Sequence, residues 1–294
     1  MQRPDAGPHR AAAGAARRRG LSAAEERHPE WRPWIRLLRL ALDQAADAAW
    51  TVELRPSADR GADAPALHGA TLAVEERRAR AWVAALLDAA AAEARADEGP
   101  LASLDAGRVD ALALLAAGVG HDRDALERLA AAAGVDADAL GAVAQLAVVP
   151  LLAAARRGLA ADVAAGWMHG YCPVCGAWPT LAEMRGLERE RRLRCGRCAA
   201  DWRFPVLRCA FCDETEHERL AGLAPDGEGE IHRVDGCHTC GGYLKSVAAL
   251  GALPEEQLAA EDIATLPLDL AAIERGFGRP EGAAHAAAVQ VVPW

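Results

Sequence analysis

From about Pro29 to Gly166 the apolar residues recur at the three- and four-residue spacing of amphipathic helices, with Gly, Pro and Asp as punctuation. Trp31, Trp34, Leu37, Leu38, Leu40 and Leu42 form one such stripe, and Pro33 sits where a first turn tolerates a missing N–H. The run RPSADRGADAPALH, 55–68, reads as a loop. A second helix is expected from Val74 to Ala96, with Trp82, Leu86 and Leu87 on one face, Arg77, Arg78 and Arg80 near its start, and Gly99-Pro100 closing it. Shorter helices are expected over Leu101–Leu115, Asp122–Ala133 and Asp136–Val149, with Asp122 or Asp124 as an N-cap acceptor and Pro150 bending or restarting a last helix that runs through Leu159 and Val163 toward Gly166. Alanine favours helix but carries little apolar area, so these faces must pack closely around few Leu and Trp anchors. No repeat of 30 to 45 positions is present that would indicate a solenoid.

Beyond Tyr171 the texture changes to short strand-like runs, among them Arg191–Arg194 and Trp202–Leu207, with a polar turn APDGEGE at 224–230 before Ile231–Val234. After Lys245 the pattern returns to helix and ends in a Gly/Pro/Ala tail from Gly276. The expected class is α+β: an all-α N-terminal domain, two metal modules of short hairpins and a C-terminal helical segment. The expected boundaries are a disordered tail 1–28, a helical domain 29–168, modules at 169–207 and 208–245, and a helix and tail over 246–294.

What separates the modules from the rest is cysteine. All eight fall in four Cys-x-x-Cys pairs, Cys172/Cys175, Cys195/Cys198, Cys209/Cys212 and Cys237/Cys240. Two thiolates three positions apart can both point at one ion across a tight turn, and two such turns complete a tetrahedral four-sulfur site. Gaps of nineteen and twenty-four residues within successive pairs of turns suit ribbon modules, so Cys172, Cys175, Cys195 and Cys198 are expected at one site and Cys209, Cys212, Cys237 and Cys240 at the other. Gly176 and Gly241, directly after a second cysteine, accommodate positive φ and let backbone N–H groups approach a sulfur. Four-sulfur coordination suits zinc or a single iron, and spacing alone does not choose. His232 and His238 lie near the second set, where four thiols already suffice. Four clustered pairs without a thioredoxin-like βαβ pattern disfavour a dithiol oxidoreductase. Arg17-Arg18-Arg19 is followed by the polar LSAAEERH rather than an apolar core, so no export signal is read, a cytoplasmic location is expected, and thiols in a reducing compartment point to metal rather than disulfides.

A formal net charge of −9 argues against a nucleic-acid backbone as main partner. Between Cys172 and Cys212, however, eight arginines (185, 189, 191, 192, 194, 197, 203, 208) face four carboxylates (183, 188, 190, 201), a local excess of +4. Charged residues interrupt the alanine runs, and membrane insertion is not expected. No phosphate-binding glycine loop, Gly-x-Ser-x-Gly elbow or His-Glu-x-x-His helix occurs, and a metal with four protein thiolates lacks the open position of a hydrolytic zinc site. A binding or redox-capable module is expected rather than an enzyme.

The ordered pattern resembles the formate dehydrogenase accessory protein family, FdhE. The resemblance rests on Tyr171-Cys172-Pro173-Val174-Cys175-Gly176, Leu193-Arg194-Cys195-Gly196-Arg197-Cys198, Asp201-Trp202, Val206-Leu207-Arg208-Cys209 through Cys212, Cys237-His238-Thr239-Cys240-Gly241-Gly242-Tyr243-Leu244-Lys245 and Glu261-Asp262-Ile263-Ala264-Thr265-Leu266-Pro267-Leu268-Asp269. It covers about 165–280, the preceding helical region agreeing only in length and character. It implies two rubredoxin-like modules with all eight cysteines as ligands, iron favoured over zinc, and a cytoplasmic, non-enzymatic role in producing active formate dehydrogenase through contact with its catalytic subunit. The rival readings are a rubredoxin-like electron-transfer or redox-sensing protein and a zinc-ribbon nucleic-acid binder using the Arg185–Arg208 cluster. Lys245 is the only lysine in the chain.

Overall fold

The computed structural model describes residues 20–96, 99–159, 163–225 and 231–294. Most of the tail expected over 1–28 and residues 226–230 of the turn expected at 224–230 lie outside the described residues. The chain forms two compact units that interleave along the sequence, one built from 33–178, 197–202 and 281–294, the other from 20–32, 179–196 and 203–280.

The first unit holds helices α1 (Arg32–Ala46), α2 (Glu76–Ala96), α3 (Ala111–Gly120), α4 (Arg123–Ala133), α5 (Ala137–Ala147) and α6 (Val149–Gly158). Aspartates 110, 122 and 136 cap α3, α4 and α5 by accepting backbone N–H bonds, satisfying donors that a helix start leaves open. The helix expected over Leu101–Leu115 begins instead at Ala111, because Asp110 supplies the cap. Leu86, Leu87, Leu114, Leu115, Leu140 and Leu151 are fully buried, and the Trp82 indole donates to the Ala147 carbonyl at 2.8 Å. Small residues set the spacing, since a Cβ on Gly118 would stand 2.8 Å from the Val148 side chain. The stretch 137–158 is apolar and long enough by composition to cross a membrane, against the expectation of no such stretch, yet 61% of its apolar 18-residue window is buried within the protein and it is divided into α5 and α6.

The helical region also contains strand. β1 (Val52–Arg55) and β2 (Thr71–Val74) flank the expected loop and pair antiparallel, and the C-terminal strand Gln290–Pro293 lies parallel to β2 on its other side. The mixed helix-and-strand class holds, with the N-terminal region less purely α-helical than expected. Strands of four residues are too short for a period of two to stand out from a neighbouring helix.

A sheet ordered β5-β4-β3-β8-β7-β6 is formed by β3 (Leu181–Arg185), β4 (Glu190–Arg194), β5 (Asp201–Arg203), β6 (Leu220–Leu223), β7 (His232–Cys237) and β8 (Tyr243–Ala249), all but β5 lying wholly in the second unit. Antiparallel pairs β3–β4 and β6–β7–β8 meet where β3 runs parallel to β8, from Leu181 opposite Lys245 to Arg185 opposite Ala249. The two cysteine-bearing hairpin sets therefore share one sheet. Helices α7 (Glu255–Ala264) and α8 (Leu266–Glu274) follow. Residues 246–249 belong to β8, so the C-terminal segment expected from 246 starts later as helix, and its tail ends as strand. Residues 20–27 are helical with Leu21 and Ala24 buried, and a Cβ on Gly20 would stand 2.8 Å from that of Ala260. Apolar contact with α7 orders this stretch, which polar composition alone assigned to a tail.

Candidate metal centres

Each Cys-x-x-Cys pair is a tight turn whose next residue adopts left-handed backbone: φ is 75° at Gly176, 56° at Ala199, 63° at Asp213 and 70° at Gly241. The turn closes by N–H donation from that residue to the carbonyl of the first cysteine, at 3.0 Å for Gly176 to Cys172, 3.2 Å for Asp213 to Cys209 and 2.8 Å for Gly241 to Cys237. Backbone N–H groups also face sulfur, Val174 toward Cys172, Phe211 toward Cys209 and Gly242 toward Cys240, each at 3.4 Å. Such donors stabilise a thiolate and orient it.

The turns bring the thiols together in the expected sets. Cys172, Cys175, Cys195 and Cys198 form one group and Cys209, Cys212, Cys237 and Cys240 the other, with sulfurs in each within 4.8 Å of one another. Sulfur–sulfur separations are 3.5 Å for Cys172–Cys198 and 3.7 Å for both Cys209–Cys240 and Cys212–Cys237. A metal–sulfur bond of about 2.3 Å gives a regular tetrahedron edges of about 3.8 Å, so the spacing fits one ion per group. It is far from the roughly 2.0 Å of a disulfide. Burial pushes the Cys209 thiol well above its usual range, and partial desolvation, with the neighbouring Cys212 and Cys237 sulfurs, raises Cys240 to about 11. Metal binding must therefore displace protons from these thiols.

The surroundings hold the turns in place. Ala66 and Leu67 donate to the Pro173 and Val174 carbonyls at 2.8 and 3.0 Å, and His285 donates to that of Gly176 at 3.1 Å. The Arg197 guanidinium, inside the second turn of the first group, donates to the Gly118 carbonyl and to His121, at the C-terminus of α3. Burial and the Arg197 charge lower the His121 pKa to about 4, so its ring accepts this bond in the neutral form.

Two arginines of the arginine-rich stretch, Arg191 and Arg194, are buried, whereas Arg189 and Arg203 are exposed. Arg191 is 3% exposed; it donates to the carbonyls of Pro205 at 3.1 Å and Arg208 at 2.9 Å, and it lies against Asp235 and the Phe204 ring. It thus ties β4 to the segment leading into Cys209. Arg194 and Arg185 both meet the fully buried Glu183 carboxylate, and Arg208 pairs with Asp213 at 2.9 Å. His232 pairs with Glu261 and His238 packs against Phe277, so neither joins the four-thiol group.

Composition gave no reason to expect a buried ionic cluster around Lys245. Its ammonium contacts Asp262 and Asp269 at 2.7 Å each, Tyr243 donates to Asp269 at 2.8 Å, and Arg279 reaches both carboxylates and the Tyr243 ring. Two cations face two carboxylates and fasten α7 and α8 to β8. A lone lysine in an arginine-rich chain was the available signal: a compact ammonium with three donors fits where a planar fork does not.

Residues 207–284 match the FdhE C-terminal domain family. The protein FdhE homolog of Pseudomonas aeruginosa is 33% identical over 114 residues, 37% of this chain and 37% of the relative. The FdhE homolog of Aquifex aeolicus is 33% identical over 121 residues, 39% and 41% of the two chains. The protein FdhE of Escherichia coli is 29% identical over 116 residues, 39% and 37%. The matched stretches thus span about two-fifths of these curated relatives. The crystal structure of the FdhE protein from Pseudomonas aeruginosa shares the fold over 92% of this chain and 94% of that one, with a TM-score of 0.57 and 23% identity.

Proposed function

We propose that the chain, which resembles the FdhE family over its cysteine-bearing region, is a cytoplasmic, non-enzymatic accessory factor that binds the catalytic subunit of formate dehydrogenase and is needed for its activity. The observation that supports this reading is the pair of four-thiol groups, each with its four sulfurs within 4.8 Å of one another. All eight cysteines serve as ligands, to iron in preference and to zinc as the alternative. A bound metal supplies loop closure, worth about 10 kcal/mol or more to a small module, and iron would add a one-electron couple. The chain's own residues do the rest: left-handed turns aim the sulfurs, backbone N–H groups orient them, and Arg191 and Arg197 anchor the turns to neighbouring structure.

Arg191, Arg194 and Arg197 speak against the nucleic-acid reading, since they are committed to internal carbonyls and carboxylates. Electron transfer remains the second reading, favoured by the solvent exposure of Cys212 and Cys240; it requires a reversible visible spectrum with a defined midpoint potential.

Tagged protein produced beside a formate dehydrogenase catalytic subunit tests the main reading. Co-purification of that subunit, with loss of formate-dependent dye reduction in cells lacking the accessory chain, is the expected result. Full activity in those cells together with no captured subunit would refute it.

A further inference from the structure

We propose that the two four-thiol groups differ in kind: the second, Cys209, Cys212, Cys237 and Cys240, exchanges its metal ligands with an incoming thiol, whereas the first retains its metal as a fixed part of the fold. The inference rests on the assignment of all eight cysteines as ligands.

The first group is closed to solvent. All four cysteines are buried, as is the whole run 172–177, and its first turn is bonded to Ala66, Leu67 and His285. There is no slack at this turn, because a Cβ on Gly176 would fall 2.2 Å from the His285 carbonyl oxygen. An incoming ligand has no approach without opening that structure.

The second group presents two of its four sulfurs. Cys212 and Cys240 are exposed, with 238–240 forming a continuous exposed run, while Cys209 and Cys237 are buried. The buried pair lines a cavity of ≈ 170 Å³ together with Arg191, Arg208 and Arg233. Four thiolates around a divalent ion carry a formal charge of about −2, which repels an anionic ligand. Three guanidinium groups beside that charge reduce the repulsion. Asp213 offsets Arg208 in part and Asp235 is shared between Arg191 and Arg233, while the Nε of Arg191 has no hydrogen-bond partner among the described residues.

The step is a ligand substitution. Sulfur of an incoming cysteine thiol, of the kind a partner chain presents, bonds to the metal as Cys212 or Cys240 departs. The departing sulfur takes the proton released by the incoming thiol, so charge and oxidation state are unchanged.

The test uses the metal-loaded full chain mixed with excess chromogenic chelator, ferrozine for iron or pyridylazoresorcinol for zinc, after total metal has been measured. A total other than two per chain would refute the ligand assignment, separately from the exchange proposal. With two present, the expected release is biphasic, one equivalent at least tenfold faster than the other. Timed alkylation with N-ethylmaleimide, read by mass spectrometry, is expected to mark Cys212 and Cys240 before any cysteine of the first group. A single release rate, or labelling led by Cys172, Cys175, Cys195 or Cys198, would overturn the inference.

Discussion

Positions 176, 199, 213 and 241 share left-handed backbone, but only two are glycine. Glycine was readable in the sequence as a turn device; Ala199 and Asp213 were not, since their conformation is imposed by the turn they close. Two predictions follow from this contrast. Gly176→Ala adds both a backbone clash and a positive-φ penalty, and should cost well over 1 kcal/mol with weakened metal retention at the first group. Ala199→Gly relieves strain of about 1 kcal/mol, offset in part by chain entropy, and should leave stability equal or slightly higher. Denaturant midpoints at unchanged m-values would check both. Lys245→Met leaves the buried Asp269 and the partly buried Asp262 facing Arg279 alone and should cost about 3 kcal/mol by the same measurement.

His121 supplies a pH prediction. Its folded pKa of about 4 lies below the unfolded 6.5, so the unfolded chain binds more protons between those values. The associated stability is fully present above about pH 6.5 and is lost as pH falls toward 4, by at most about 3 kcal/mol. Asn tolerates the left-handed φ of 54° at this site and keeps an acceptor for Arg197. His121→Asn should therefore flatten the loss of stability between pH 6.5 and 4 relative to wild type. An unchanged slope in paired melts would show that the ring does not bear this load.

Among the elements, long helices and capped starts were legible because period and punctuation agreed: Glu76–Ala96 and Arg123–Ala133 lie within two residues of expectation. The four-residue strands were not, because their partners are remote. Val291 pairs with Leu72 across more than two hundred residues, and nothing local in QVVP specifies that. Likewise the parallel contact of β3 with β8 joins two hairpin sets that cysteine spacing presents as separate modules. Removing 288–294 should strip β2 of one neighbour and raise hydrogen exchange across 71–74, while β3–β8 amides keep their protection. Equal exchange in the shortened and full chains would contradict this pairing.

For the whole molecule, cysteine spacing made the candidate site legible before the fold, because a tetrahedral four-sulfur centre has few sequence solutions. What spacing could not convey was the difference in exposure between the groups or the burial of Arg191 and Arg194, both products of packing. The account depends on two metal ions held by eight thiolates. Metal content per chain, measured on protein purified without oxygen or added metal, tests this most directly. It predicts two equivalents, iron in preference to zinc, falling toward one in Cys209→Ser. Metal-free protein that remains folded with its cysteines paired as disulfides would contradict it.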